Sequence, residues 1–272
     1  MRRDRWAVAA LARVRAINRT ARVLANAATP FLLNSYLNCI KYNTQAPAFW
    51  LNCSPMTELI PPAFLFRMAL PVRKAPKLPR SGPQPLQLNA EYALTDIGDL
   101  AQGNRFGEIR LAWNEQGFGC RVEVTGKRFA PRCDYAQLLN SDGFNFWIDT
   151  RSTQNIHRAS RFCHHFCVLP TGALRDRTQP VARQLPIARA KEDAVPCDPK
   201  QIMTYSEVRD SGYLLEVWLP AEVLHGYEPE SNPRLGFYYH LRDHELGDQY
   251  LAVGAEFPFD HDPSLWWPLE FV

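Results

Sequence analysis

The chain has 272 residues, 46% of them apolar, 12% aromatic and 22% charged, with 22 Pro and 14 Gly, a composition that excludes collagen-like and wholly disordered chains. Its net charge of +3 joins two unlike parts: residues 1–55 hold eight basic side chains against the single acid Asp4, whereas the remainder is mildly acidic. A basic excess confined to one short arm does not favour a phosphate backbone as partner, so no nucleic acid is expected.

Residues 1–55 read as a basic N-terminal arm, helical or disordered. Arg2 to Ala28 is rich in Ala, Leu, Val and Arg, with Arg15, Arg19 and Arg22 at helical spacing. Such an arm suits a membrane surface, or it is an upstream mistranslated extension of a protein that starts at Met56. The apolar run Trp6 to Ala12 only just reaches the minimum for a secretory leader, and Arg13 and Arg15 follow at once; the cytoplasm is therefore slightly favoured. Asn26, Thr29, Pro30, Asn34, Ser35 and Asn38 break up the next uncharged stretch, which leaves no transmembrane span.

Residues 56–88 form a lead strand, Ala63 to Leu70, and a Pro-rich extended connection, Pro71 to Pro85. From residue 89 to 272 the period of two dominates. Ile109, Leu111 and Trp113 alternate with Glu108 and Arg110; Asn114 to Gly117 turns the chain into a second strand, Phe118 to Thr125. Phe144, Phe146 and Ile148 alternate with Asn145, Trp147 and Asp149, and Phe162 to Leu169 follows as a further strand. Arg175 to Lys200, charged and Pro-containing without periodicity, reads as a long surface loop. Met203 to Arg209 and Tyr213 to Leu219 make a second hairpin, Pro220 to Leu224 a single helical turn, and Leu235 to Asp243, Gln249 to Val253 and Trp266 to Phe271 the last strands. Many short strands and almost no amphipathic helix specify an all-β fold, an antiparallel β-sandwich of jelly-roll or immunoglobulin-like type.

The seven cysteines lack the spacing of a small disulfide-stapled domain. Cys163 to Cys167 encloses the sequence Cys-His-His-Phe-Cys, whose thiolate and imidazole donors suit zinc. On a strand, however, Cys163, His165 and Cys167 share one face about 7 Å apart, too widely spaced for one tetrahedral ion, which favours buried thiols. Asp243, His244, Glu245, Asp248, Asp260, His261 and Asp262 are acidic and His groups in two late loops whose oxygen ligands suit calcium, but their spacing fits no recognised calcium loop. No cofactor is required by these patterns.

Four segments, in order, resemble the family 9 carbohydrate-binding modules and the wider DOMON-like sandwiches. They are Asp142-Gly-Phe-Asn-Phe-Trp-Ile-Asp149, Gly212-Tyr-Leu-Leu-Glu-Val-Trp-Leu-Pro220, Arg234-Leu-Gly-Phe237 and Pro263-Ser-Leu-Trp-Trp-Pro-Leu269. The resemblance spans roughly Asn89 to Val272 and implies a noncatalytic ligand-binding sandwich. Asn145 stands where many relatives carry an acid, and the His-rich strand is not a general feature of the carbohydrate modules. Some DOMON-like relatives bind haem through Met and His; with Met203 the one methionine in a body strand, haem is not expected here.

A sugar site needs flat aromatic rings for the apolar face of a pyranose and polar groups for its hydroxyls. If Phe144, Phe146, Ile148, Tyr213, Leu215, Val217, Phe237 and Tyr239 face the core, alternation puts Asn145, Trp147, Glu216, Trp218, Tyr238, His240 and Arg242 on the opposite faces, and His165 joins them. The candidate ligand-binding residues are therefore Trp147, His165, Trp218, Tyr238, His240 and Arg242, with Trp147 and Trp218 as platforms and a saccharide or glycan as partner. The plainer alternative makes both tryptophans a second core layer under the Pro-rich loops or the arm. Two other functions compete: a metal-binding enzyme built on the His and Cys strand with His240 and His244, and a module whose aromatic face closes a homo-oligomer. Arg151, His157, Arg158 and Arg161 form a basic loop beside this face.

Overall fold

The computed structural model describes residues 67–97, 104–173 and 178–272; the basic arm and the first half of the lead strand lie outside them. Eleven strands are described: β1 (Leu70–Val72), β2 (Gly107–Asn114), β3 (Gly117–Thr125), β4 (Gly143–Asp149), β5 (Cys163–Ala173), β6 (Gln179–Leu185), β7 (Met203–Arg209), β8 (Gly212–Pro220), β9 (Arg234–Asp243), β10 (Gly247–Tyr250) and β11 (Trp267–Phe271). One sheet runs β1-β11-β9-β4-β5-β6, with β10 also on β9; the other runs β2-β3-β8-β7. The pairs are antiparallel except β1 with β11. No helix among the described residues is long and apolar enough to cross a membrane.

The two sheets face each other as the alternation requires. Phe144, Phe146, Ile148, Phe166, Val168, Phe237, Tyr239 and Leu241 of the first sheet meet Ile109, Leu111, Phe118, Cys120, Val122, Tyr213, Leu215 and Val217 of the second, all buried. Phe146 stacks on Phe144 at 5.1 Å and on Phe166 at 5.5 Å. Phe118 reaches across to Phe237 at 6.1 Å. Each such ring contributes about 1.5–3 kcal/mol by burial, so this ladder fixes the register of β4, β5 and β9 and aims their alternate residues outward.

Two expectations need correction. The segment 175–200 is not all loop: Gln179–Leu185 forms β6 on the edge of the first sheet, pairing with β5. Pro180 is tolerated there because an edge strand has one unpaired side, and only Val181 is buried, so no alternation marks it. Pro71 opens no connection; it lies inside β1, whose parallel pairing with β11 has no signature in a three-residue run. The single helical turn is found at Ala221–Val223.

The acids and glycine of the family-like segments have structural work. A Cβ at Gly212 would stand 1.9 Å from the Val124 carbonyl oxygen, so the β7–β8 turn admits no side chain there. Asp149 ends β4 by accepting from the Arg151 amide at 2.9 Å and the Thr153 amide at 2.6 Å, and burial raises its pKa. Glu216, fully buried on β8, accepts from the amides of Leu86 and Gln87 at 3.0 Å each and from Arg121 Nη1 at 3.1 Å. It thereby ties the Pro-rich connection across the outer face of the second sheet, where Ala75, Leu78, Leu86 and Leu88 close over Trp218. Glu216→Gln replaces one acceptor by a donor opposite a donor. It is expected to cost about 1–3 kcal/mol and to speed amide exchange at Leu86 and Gln87; unchanged exchange at both would remove this tether.

Candidate functional site

The register of β5, β4 and β9 sets side chains in rows across the outer face of the first sheet. His165 lies opposite Trp147, and Trp147 opposite Tyr238; Cys167 lies opposite Asn145, and Asn145 opposite His240. Arg242 continues the β9 column beside Gly143. Five of the six candidate residues thus come from three adjacent strands of one sheet. Trp218 does not join them. It belongs to β8 in the other sheet and faces away, 1% exposed beneath the Pro-rich connection. Two outward-pointing tryptophans on opposed sheets stand on opposite sides of the sandwich, so the paired-platform arrangement is excluded and Trp218 belongs to a second core layer.

Over the rows lies a cleft of about 340 Å³, lined by Asn145, Trp147, His165, His240 and Arg242 from the strands and by Leu139, Pro186, Ala188, Ala255, Phe257, Phe259 and Asp260 from the loops. Tyr238 is not in its wall. Phe259 stacks on Tyr238 at 4.8 Å, and the Tyr238 hydroxyl donates to the Val253 carbonyl. Trp266 Nε1 holds the Phe259 carbonyl at 2.7 Å, fixing the loop that does this. Sequence periodicity had no means of finding Phe257 or Phe259, which lie between β10 and β11; the Phe-Pro-Phe run before the acidic Asp260 is the signal present.

Trp147 is 3% exposed. His165 covers one side of the indole, stacked at 4.3 Å and 13°, and Phe259 approaches edge-on at 5.5 Å and 80°. A flat open platform is therefore absent in this arrangement, while Phe257 stays half-buried at the cleft. The indole Nε1 of Trp147 has no hydrogen-bond partner, an uncommon state for a buried donor.

The polar wall is organised around the Asp248 carboxylate, which both His240 and Arg242 approach. His240 stacks on Tyr250 at 4.6 Å, and its Nε2 meets Asp248 Oδ1 at 2.7 Å, which holds the Asp248 carboxyl below its usual range. Arg242 Nη1 donates to the Leu139 carbonyl at 3.3 Å, and its Nε lies 4.0 Å from Asp248. His165 Nε2 lies 3.4 Å from Asn145 Oδ1, and burial, helped by the proximity of His240, lowers its pKa to about 3. It is a neutral ring at neutral pH.

The competing metal chemistry finds no geometry. Among the described residues no three His, Cys, Asp or Glu side chains are placed to hold an ion. Burial pushes the Cys163 and Cys167 thiols up to about 12, so neither is a thiolate. His244 pairs with Asp142. A Ser264, His157 and Asp262 grouping brings both oxygens to the same nitrogen, His157 Nδ1, at 3.2 and 3.1 Å. A serine-type relay requires the acid and the hydroxyl on different ring nitrogens.

Among solved structures, similar arrangements include a carbohydrate-binding module family 9 protein from Caldicellulosiruptor kristjanssonii in complex with glucose, with a TM-score of 0.51 and 10% identity over 75% of this chain and 96% of that one. The fold is that of the family 9 carbohydrate-binding modules. The same organism's module in complex with cellotriose gives a TM-score of 0.49 at 11% identity, over 75% of this chain and 93% of that one. No family model matches the sequence, and no curated protein matches it significantly. Within the family 9 fold, the cleft over β4, β5 and β9 joins an aromatic wall to a charged and amide-bearing one.

Proposed function

We propose that this chain is a noncatalytic carbohydrate-binding module whose ligand enters the cleft over β4, β5 and β9. The observation that carries this reading is the meeting of Phe257, Phe259 and Trp147 with Asn145, His240, Arg242 and Asp260 in one recess of about 340 Å³, at the lower end of small-ligand sites. The aromatic groups suit the C–H face of a pyranose, and the polar groups suit its hydroxyls. The fold supports the same reading, since the module it resembles was solved with glucose. Phe257, half-buried at the cleft, takes the part of ring platform assigned from sequence to the tryptophans, and Arg242 keeps the part of hydrogen-bond donor.

Phe257→Ala and Arg242→Ala are each expected to weaken saccharide binding about tenfold, or ~1.4 kcal/mol, in calorimetric titrations with glucose-, galactose- and mannose-based trisaccharides. Trp218→Phe, on the far sheet, leaves affinity unchanged. Full affinity in both of the first two variants would eliminate the cleft as the binding site.

A further inference from the structure

Beside the cleft, the surface opens into a second recess of about 440 Å³ lined by His157, Arg158, Arg189, His261 and Asp262. The two recesses adjoin through consecutive residues: Ala188 and Asp260 line the first, Arg189 and His261 the second. The second differs from the first in carrying two arginines, Arg158 and Arg189, that form no ion pair among the described residues. Of the three arginines in the loop 151–161, Arg151 pairs with Glu228 and Arg161 with Glu192, and both guanidinium groups lie over the Phe162 ring. Arg158 is different. Its Nε and Nη2 donate to the carbonyls of Arg189 and Ala190 at 2.9 and 3.2 Å, which fixes the guanidinium without cancelling its charge.

Arg189 makes no ion pair among the described residues. Its backbone is left-handed, with φ at +57°, a conformation that Gly or Asn adopts at less cost. The one acid of the recess, Asp262, is engaged by other groups than the two arginines: it accepts from the Ser264 amide at 2.9 Å and meets His157 Nδ1, of the same recess, at 3.1 Å. Arg158, held by its Nε–Nη2 edge, and the unpaired Arg189 line one recess beside the cleft, and their charge suits a carboxylate.

We propose that the ligand is an acidic glycan: one sugar ring occupies the cleft, and the carboxylate of an adjacent uronate residue binds Arg158 and Arg189. This rests on the carbohydrate reading above and adds the charge of the ligand to it. Calorimetric titration of the full chain at pH 7 and low salt tests it with matched pairs: cellotriose and cellotriuronate, galactotriose and trigalacturonate, mannotriose and trimannuronate. For at least one pair the uronate is expected to bind ten or more times more tightly than its neutral counterpart, and the ratio is expected to shrink as salt rises. Arg189→Gln lowers that ratio towards one, and Arg189→Lys, which keeps the charge but not the fork, restores part of it. Equal affinity within every pair that binds overturns the acidic-ligand inference and leaves the carbohydrate reading standing. Failure of all six to bind overturns both. A uronate preference that survives Arg189→Gln with Arg158→Gln together removes the assigned recess.

Discussion

Lys127→Met is expected to lower the free energy of unfolding by about 3–5 kcal/mol. The Lys127 side chain, 2% exposed, donates to Asp142 Oδ2 at 3.1 Å and also to Asp243. Those carboxylates are otherwise filled: Asp142 accepts from the amides of Arg132 and His244 at 2.9 and 2.8 Å, and Asp243 from those of Glu245 and Leu246 at 2.9 and 3.0 Å. The Lys127 amide donates to the Ser211 carbonyl at 3.0 Å, so one residue joins the end of β3 to the starts of β4 and β8 and to the β9–β10 turn. Burial opposes the lysine's charge, but its two acidic partners more than offset this, and its pKa lies above the ordinary value. Methionine fills the volume and leaves two buried carboxylates facing each other.

The pH dependence distinguishes this cause from lost packing. Burial works against the Asp142 charge, yet the Arg132 and His244 hydrogen bonds and Lys127 together lower its pKa. Its stabilising contribution is therefore present above the unfolded value, about 3.9, and is lost as pH falls through the folded one. In Lys127→Met the freed carboxylates take protons more readily, so the deficit against the parent narrows towards pH 4.5. Denaturant midpoints for both proteins at pH 7 and 4.5 measure it. A loss below 1 kcal/mol at pH 7, or a deficit constant with pH, contradicts the account. Adding Asp142→Asn and Asp243→Asn to the variant restores part of the loss by removing the stranded charge.

Alternation was enough to read the inner and outer faces of β4, β8 and β9 from sequence, because Phe144, Phe146 and Ile148 differ in kind from Asn145 and Asp149. It was not enough to say which outer faces coincide. Trp147 and Trp218 both point outward, but each sheet of a sandwich has its own outer face, and strand order within sheets is set by long-range pairing that leaves no period in the chain. Tyr238 shows a different limit. It faces outward as alternation places it, opposite Trp147, yet Phe259 covers it from a loop whose path follows from the Trp266 hydrogen bond. Of the cleft, the strand-borne half was therefore legible. The loop-borne half was not, since Phe257, Phe259 and residues 186–190 carry no period; of the neighbouring recess His157 and Arg158 were placed beside this face, but Arg189 was not.

Acid is expected to unfold this protein between about pH 6 and 4.5, driven by two neighbouring histidines of opposite faces on β5. His164 points to the core side: Gln184 Nε2 donates to its Nδ1 at 3.4 Å, and its Nε2 faces the His225 carbonyl at 3.4 Å. This arrangement requires neutral imidazole with the proton on Nε2, and burial lowers its pKa to about 4. His165, packed on Trp147 on the other side, lies at about 3 for the same principal reason. In the unfolded chain both titrate near 6.5. A base whose folded pKa is depressed gives its full contribution to stability above the unfolded value and loses it as pH falls below that value, at ~1.4 kcal/mol per pH unit for each group. Two such groups remove roughly 5 kcal/mol between pH 7 and 4.5, comparable with the whole stability of many domains. Asp149, whose pKa is raised by burial, works in the opposite direction and recovers part of this. Denaturant midpoints at half-unit pH steps measure the slope, which corresponds to uptake of nearly two protons on unfolding near pH 5. His165→Gln should remove about one proton from that count, and His164→Gln with His165→Gln nearly all of it. A parent protein equally stable at pH 7 and 5 would show that neither ring is held neutral by the fold.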